Sequence, residues 1–309
     1  MTDRLAVDIG ALRLANPVMT ASGTFGQATE LEAFFDLNRL GAIVVKTITP
    51  HARAGNAPPR THETAAGMLN SIGLPGPGIE GFIADELPRM APLDVPVVIN
   101  VAGENEGQFT DLARRLADVP GVAAIEVNLS CPNVTEGGVN YAQDAAVTHR
   151  ILASMRAVYD RPLIAKLTPN VADVGAIARA AEEGGADAVS LVNTFLGMAI
   201  DWRRRRSVFR NVVAGLSGPA IKPLALHLVH VAARAVSIPV IGIGGISTPE
   251  DAIEFILAGA TAIQVGTATF FDPLAAPRIV ERLPSLLDAI GAETIRDAIG
   301  ALRGHEEAE

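Results

Sequence analysis

Eight short apolar runs, most of them rich in β-branched residues, recur along the chain at intervals filled by helical patterns. They are "VMTAS" (18–22), "AIVVKTI" (42–48), "PVVINVAG" (96–103), "AAIEVNLS" (123–130), "PLIAKLT" (162–168), "DAVSLVN" (187–193), "PVIGIGG" (239–245) and "TAIQVGT" (261–267). Most are continuous rather than alternating, as in parallel strands covered on both faces. Between them, Phe109, Leu112 and Leu116 share one face of a predicted helix, and Val147, Ile151, Met155 and Val158 share another. Gly184-Gly185 stops a third helix, and Ser247 or Thr248 caps a fourth with Pro249 in its first turn. Eight strands alternating with helices predict an α/β fold: one (β/α)8 TIM barrel over residues 1–309, in a class that takes about 250 residues before insertions. The alternative, a doubly wound open sheet, needs a glycine-rich nucleotide loop after its first strand, and "TASGTFGQA" matches that poorly. The surplus length falls at 51–78 and 195–223, after strand C-terminal ends, so both segments are expected as insertions on the C-terminal face of the strands.

A net charge of −9 argues against a broad nucleic-acid surface. The opening "MTDRLAVDIG" lacks the apolar stretch of a signal peptide, and no run is long enough to span a bilayer. The expectation is a cytoplasmic protein bound to neither membrane nor nucleic acid. One cysteine, Cys131, excludes internal disulfides and an iron–sulfur cluster held by about four thiolates of this chain. His227 and His230 are three residues apart on a predicted helix, but no third ligand clusters with them, so no metal site is expected.

Of the 25 basic residues only Lys46, Lys166 and Lys222 are lysines. Two of these lie inside apolar runs, "AIVVKTI" and "LIAKLTP". A guanidinium does not replace a compact ammonium, and burying an ammonium is costly unless an anion or hydrogen-bonding group meets it. Lys222, at a helix start in "GPAIKP", is read as structural.

In a barrel the chemistry gathers at the C-terminal ends of the strands. Those ends read Ser22, Lys46-Thr47, Asn100, Asn128, Lys166, Asn193-Thr194, Gly244-Gly245 and Gly266-Thr267. Two lysines and three asparagines around one mouth suit a ligand with amide edges and negative charge; a flavin, a pyrimidine and a sugar all remain open. The last two ends, "GIGGIST" and "QVGTATF", offer backbone N–H groups where barrels commonly bind phosphate.

The motifs "NLSCPNV", "VNTFLGMAID", "GLSGPAIKP", "PVIGIGGI" and "AIQVGTA" resemble those of dihydroorotate dehydrogenases of class 1, in the 1B form, and the resemblance runs from "NPVMTASGTFG" to the last strand. It implies an FMN-dependent oxidation of dihydroorotate to orotate in pyrimidine biosynthesis. The FMN contacts it implies are Ser22, Lys46, Thr47, Asn100, Asn128, Lys166, Val192, Gly218, Gly244, Gly245, Gly266 and Thr267. The implied substrate contacts are Lys46, Asn70, Ser71, Ile72, Gly73, Leu74, Asn128, Asn193 and Thr194. Cys131 is implied as the general base, in a glycine-rich loop placed as a movable lid. Class 1B membership further implies a homodimer within a heterotetramer, whose separate subunit carries FAD and a 2Fe–2S cluster and passes electrons to NAD+; class 1A homodimers use fumarate instead. The chain departs from the family pattern at Gly76, where an amide is expected, at Ala214 before Gly215, and in the basic "WRRRRSVF".

Rival readings are a tRNA-dihydrouridine synthase, a dihydropyrimidine dehydrogenase catalytic domain, and a flavin-binding module without activity. The first requires an RNA surface that Arg203 to Arg206 alone do not supply. The second usually lacks the residue corresponding to Asn133, and the third leaves the lysines and asparagines unexplained.

Overall fold

The computed structural model describes residues 3–26, 29–130, 135–136, 139–140 and 143–304. All eight apolar runs form strands: β1 (Val18–Thr20), β2 (Ile43–Val44), β3 (Val97–Val101), β4 (Ala124–Asn128), β5 (Leu163–Lys166), β6 (Ala188–Leu191), β7 (Val240–Ile243) and β8 (Ala262–Val265). They make one sheet in the order β1-β8-β7-β6-β5-β4-β3-β2, with every pairing parallel. The seam between β1 and β2 is closed by a parallel bridge from Met19 to Ala42. Thr20 fastens it further: its hydroxyl accepts from Val44 N (2.8 Å) and donates to Val44 O (3.2 Å). The result is the expected (β/α)8 barrel.

Every residue of these eight strands is buried, which is why their sequences are apolar runs without a polar face. Helices α1 (Glu106–Leu116), α2 (Ala145–Arg156), α3 (Val174–Glu183), α4 (Lys222–Ala235), α5 (Pro249–Leu257) and α6 (Ala275–Ile290) cover the outside. Phe109, Leu112 and Leu116 of α1, and Val147, Ile151 and Met155 of α2, face the core as their spacing predicts. Thr248 is the N-cap of α5. Its hydroxyl accepts from Asp251 N, while the Asp251 carboxylate accepts from Thr248 N, a capping box that sets where the helix starts. Gly242 of β7 permits α5 to close on the barrel, since a Cβ there would lie 2.6 Å from Phe255 Cδ1.

The two insertions build a second sheet. Its antiparallel strands run Phe195–Gly197, Ala214–Ser217, Gly67–Asn70 and Thr61–Thr64 in spatial order, so segments about 150 residues apart are paired, Gly215 opposite Asn70 and Leu216 opposite Leu69. Leu69, Phe209 and Ala214 form its own small apolar cluster. This sheet was not anticipated. Thr61–Thr64 is exposed at all four positions and carries no apolar alternation from which a strand can be read.

Candidate active site

A cavity of about 670 Å³ opens at the C-terminal ends of the strands, walled by both insertions. Its size falls in the range of small-molecule and cofactor sites. Of the residues expected to meet the cofactor, Ser22, Lys46, Thr47, Asn128, Lys166, Val192, Gly218, Gly244, Gly245, Gly266 and Thr267 line it. So do Asn70, Ser71, Ile72, Gly73, Leu74, Asn193 and Thr194, expected to meet the substrate. One expected residue of the described set is not among the lining. Asn100 is fully buried beneath the cavity within β3. Cys131 lies outside the described residues.

The strand ends position the polar groups. Lys166 stands opposite Asn128 on one side and Ser190 on the other, so β4, β5 and β6 deliver them to one level. Asn193 Nδ2 donates to Asn128 Oδ1 (3.3 Å), which also accepts from Ser130 N (3.2 Å). Thr194 N donates to Asn193 Oδ1 (2.8 Å), fixing that amide from its other end. Ser22 Oγ and Thr47 Oγ1 lie 3.3 Å apart between β1 and β2. From the second sheet, Asn70 Nδ2 donates to Gly215 O (3.3 Å), and Thr267 Oγ1 donates to Ser217 Oγ (2.8 Å).

Glycines bring backbone to the cavity wall. Gly218 has φ +95° and a Cβ there would sit 2.7 Å from Gly67 Cα, so the two insertions meet where neither has a side chain. Gly244 has φ +127°, a conformation in which an L side chain is strained, and a Cβ would come within 2.7 Å of Ala225 Cβ. With Gly245 and Gly266 these positions offer main chain rather than side chain to a ligand, the surface that phosphate oxygens require.

The two lysines differ in their surroundings. Burial holds the Lys46 ammonium below the ordinary lysine pKa, the nearby charge of Arg60 lowers it further, and Glu30 opposes both. A cation held in that condition gains from an anionic ligand. Lys166 is buried with Nζ 3.4 Å from the Glu126 carboxylate. Glu126 is fully buried in β4 and collects three further donors: Asn100 Nδ2 (2.6 Å), Gln264 Nε2 (2.6 Å) and Ser190 Oγ (2.9 Å). Glu126 is not among the residues expected from the sequence at this site. Its signal was the one that marked the lysines, a lone charge in an apolar run, "AAIEVNLS". Asn170, likewise absent from the expected set, lines the cavity, and its Nδ2 donates to Thr168 Oγ1 and Thr194 O, both at 3.1 Å.

Other features have local explanations. Lys222 pairs with Asp251 (2.5 Å) and Glu254 (2.8 Å), consistent with a structural role. His230 Nδ1 lies 3.1 Å from Ala258 O while His227 is exposed, and no metal-binding cluster of acids, histidines and cysteines occurs among the described residues. Gly76 exchanges two backbone hydrogen bonds with Arg53, and a Cβ there would meet nothing within 4 Å.

Comparison with known proteins agrees with this geometry. A family model described as dihydroorotate dehydrogenase matches residues 4–287. A protein of Thermoanaerobacter pseudethanolicus named "Dihydroorotate dehydrogenase B (NAD(+)), catalytic subunit" is 51% identical, over 97% of this chain and 99% of its own length. Proteins of the same name from Trichlorobacter lovleyi and Listeria monocytogenes are 50% and 45% identical, over 98% and 96% of this chain and 100% and 97% of their own lengths. With a barrel whose mouth gathers both lysines and two of the three strand-end asparagines, and near-complete coverage by such relatives, the chain belongs to the dihydroorotate dehydrogenase family.

Proposed function

We propose that this chain oxidises (S)-dihydroorotate to orotate in de novo pyrimidine biosynthesis, with FMN held in the barrel cavity. The observation that carries the reading is the convergence of Lys46, Lys166, Asn128, Asn193 and the glycine-lined wall on one cavity of cofactor size. The donor set fits FMN: main chain at Gly244, Gly245 and Gly266 for a phosphate, hydroxyls and amides for the ring edges, and a buried ammonium at Lys166. When bound, FMN supplies the hydride acceptor.

The remaining chemistry belongs to the chain. Lys46 pairs with the substrate carboxylate, and its lowered proton affinity is restored by that pairing. Asn70, Asn128, Asn193 and Thr194 hold the amide edges of the pyrimidine, each offering donors or acceptors already aligned by a neighbour. Cys131 Sγ takes the proton from C5 as hydride leaves C6, so the C5–H and C6–H bonds break and the C5=C6 double bond forms. A thiol with an ordinary pKa of about 8.5 does this best at alkaline pH or after local deprotonation.

Relatives carry the words "catalytic subunit" and "NAD(+)" in their names, which implies a separate partner. We assign to that partner an FAD and a 2Fe–2S cluster relaying electrons to NAD+, in a heterotetramer built on a homodimer of this chain. The single cysteine supports the assignment, since a four-thiolate cluster needs ligands this chain does not have. Exposed Leu196, Met198, Ile200, Trp202, Val212 and Val213 on the second insertion supply apolar surface for subunit contact. Among the described residues no helix is long and apolar enough to cross a membrane. Arg203 stacks 4.3 Å from the Trp202 ring and Arg204 pairs with Asp201 in an exposed turn.

The test is the visible spectrum of the purified chain, repeated anaerobically after dihydroorotate is added. Flavin absorbance that bleaches supports cofactor and substrate together. Absorbance that persists with dihydroorotate but bleaches with dihydrouracil redirects the substrate. A chain that takes up no FMN overturns the reading.

A further inference from the structure

We propose that Glu126 is the counter-ion of Lys166 and sets the reduction potential of the bound flavin, an inference that rests on the FMN reading above. Glu126 and Asn128 are two residues apart on β4 and so point to the same side of the strand. Asn128 reaches the cavity, and Glu126 lies one layer beneath it, fully buried. Lys166 joins the two layers: it lines the cavity while its Nζ stands 3.4 Å from Glu126 Oε1.

The shell around Glu126 is built for an anion. Among the described residues, the four side chains that reach it, from Asn100, Lys166, Ser190 and Gln264, act as donors, and they come from β3, β5, β6 and β8. Both amides turn their NH2 groups to the carboxylate. Their own oxygens, Asn100 Oδ1 and Gln264 Oε1, are left buried with no partner among the described residues. An orientation that gives up two acceptors is selected by an ionised carboxylate, not by a neutral acid that must itself donate. Packing alone does not require this arrangement, because an apolar side chain would leave no such amides to satisfy.

Its consequence lies above it. Hydride transfer brings two electrons and one proton to the flavin and so adds one negative charge at the cavity. Lys166 favours that charge; Glu126, behind Lys166 in a site from which water is excluded, offsets much of the attraction and holds the ammonium in place. The pair therefore moderates how strongly the protein prefers reduced over oxidised FMN, keeping the cofactor able to pass electrons onward. Glu126 is a positioning and field-setting residue that touches the flavin only through Lys166.

The experiment measures the midpoint potential and the FMN affinity of the wild-type chain, Glu126→Gln and Glu126→Asp, each purified and reconstituted with FMN. Removing the charge in Glu126→Gln is expected to raise the preference for reduced over oxidised FMN about tenfold, or about 30 mV for a two-electron couple. Glu126→Asp, which restores the charge one methylene lower, is expected to return most of the shift. A merely structural role would lower affinity for both redox states alike and leave the potential in place. A preference for reduced over oxidised FMN within twofold of wild type in folded, FMN-loaded Glu126→Gln, or one shifted toward oxidised FMN, overturns the inference and leaves the FMN reading intact. Failure of the wild-type chain to take up FMN overturns both.

If Glu126→Gln does not fold, the reduced-minus-oxidised infrared spectrum of the chain labelled with 13C-glutamate decides, in a Glu30→Gln background that removes the acid acting on Lys46. A labelled carboxylate band that moves on reduction is expected, and a difference spectrum without one overturns the inference.

Discussion

Asn193 donates to Asn128 across 3.3 Å, joining the ends of β4 and β6 over the top of β5 and leaving each amide with groups to spare for a ligand. Neither strand neighbours the other in the sheet, where β5 lies between them. The contact therefore exists only because the barrel curves its strand ends toward a shared axis.

Asn193→Ala removes one ligand amide and unpins the other. Loss of one such hydrogen bond costs about 1.4 kcal/mol, so orotate is expected to bind about tenfold more weakly. Titration of the flavin spectrum with orotate reads the change. Thermal stability should move little, because Asn193 is only partly buried.

Cys131→Ser should retain FMN and lose on the order of 10²–10⁴ in turnover near neutral pH, the usual worth of a positioned general base. Turnover recorded from pH 6 to pH 10 checks it. Wild-type-like rates in the variant would remove Cys131 from the mechanism.

For Lys46, burial disfavours the charged form, Arg60 adds to the effect and Glu30 opposes it, so the folded-state pKa lies below the ordinary lysine value. The unliganded site is cationic below that depressed pKa and becomes neutral as pH rises through it. Orotate affinity should therefore begin to fall at a pH below that at which an ordinary lysine deprotonates. The linkage has the opposite sense for the empty protein: between the folded and unfolded values the unfolded chain binds more protons, so this residue's contribution to stability rises with pH. Lys46→Met should weaken orotate binding at least tenfold at pH 7 and abolish the alkaline limb, as read by orotate titrations across pH.

Lys222 ties the start of α4 to Asp251 and Glu254 of α5. Burial pulls its pKa down, but hydrogen bonds and charge from the two carboxylates outweigh this and raise it. Burial likewise pushes Asp251 up, and the Lys222 ammonium with the Ser247 and Thr248 N–H groups brings it below the ordinary value. The lysine's contribution is thus complete below its unfolded pKa and is lost as pH rises through the raised folded value. The aspartate's is present above its unfolded pKa and lost as pH falls through the depressed one. Lys222→Met should cost on the order of 1 kcal/mol for this part-exposed network, about 2 °C in Tm. Calorimetry at pH 7 and at a pH below the ordinary aspartate pKa measures it, with the gap between variant and wild type narrowing at the lower pH.

Much of this fold is legible in the sequence. β1 to β8 are continuous apolar runs because each strand is covered on both faces, and that burial writes itself directly into composition. Of the polar ends of those runs all but Asn100 line the cavity, because in a parallel barrel every strand ends on the same face. Thr61–Thr64 was illegible for the converse reason: a strand exposed at every position leaves no pattern of burial to read.

What only the tertiary structure decided is which polar groups meet. Asn100 and Asn128 look alike in sequence, each closing an apolar run. Yet Asn128 lines the cavity while Asn100 is sealed beneath it against Glu126. Glu126 and its four donors come from five strands spread between residues 97 and 265. A period along the chain reports which face of an element is covered. Hydrogen-bond partners brought together by closing a sheet on itself depend on register and stagger between strands, which no local pattern encodes.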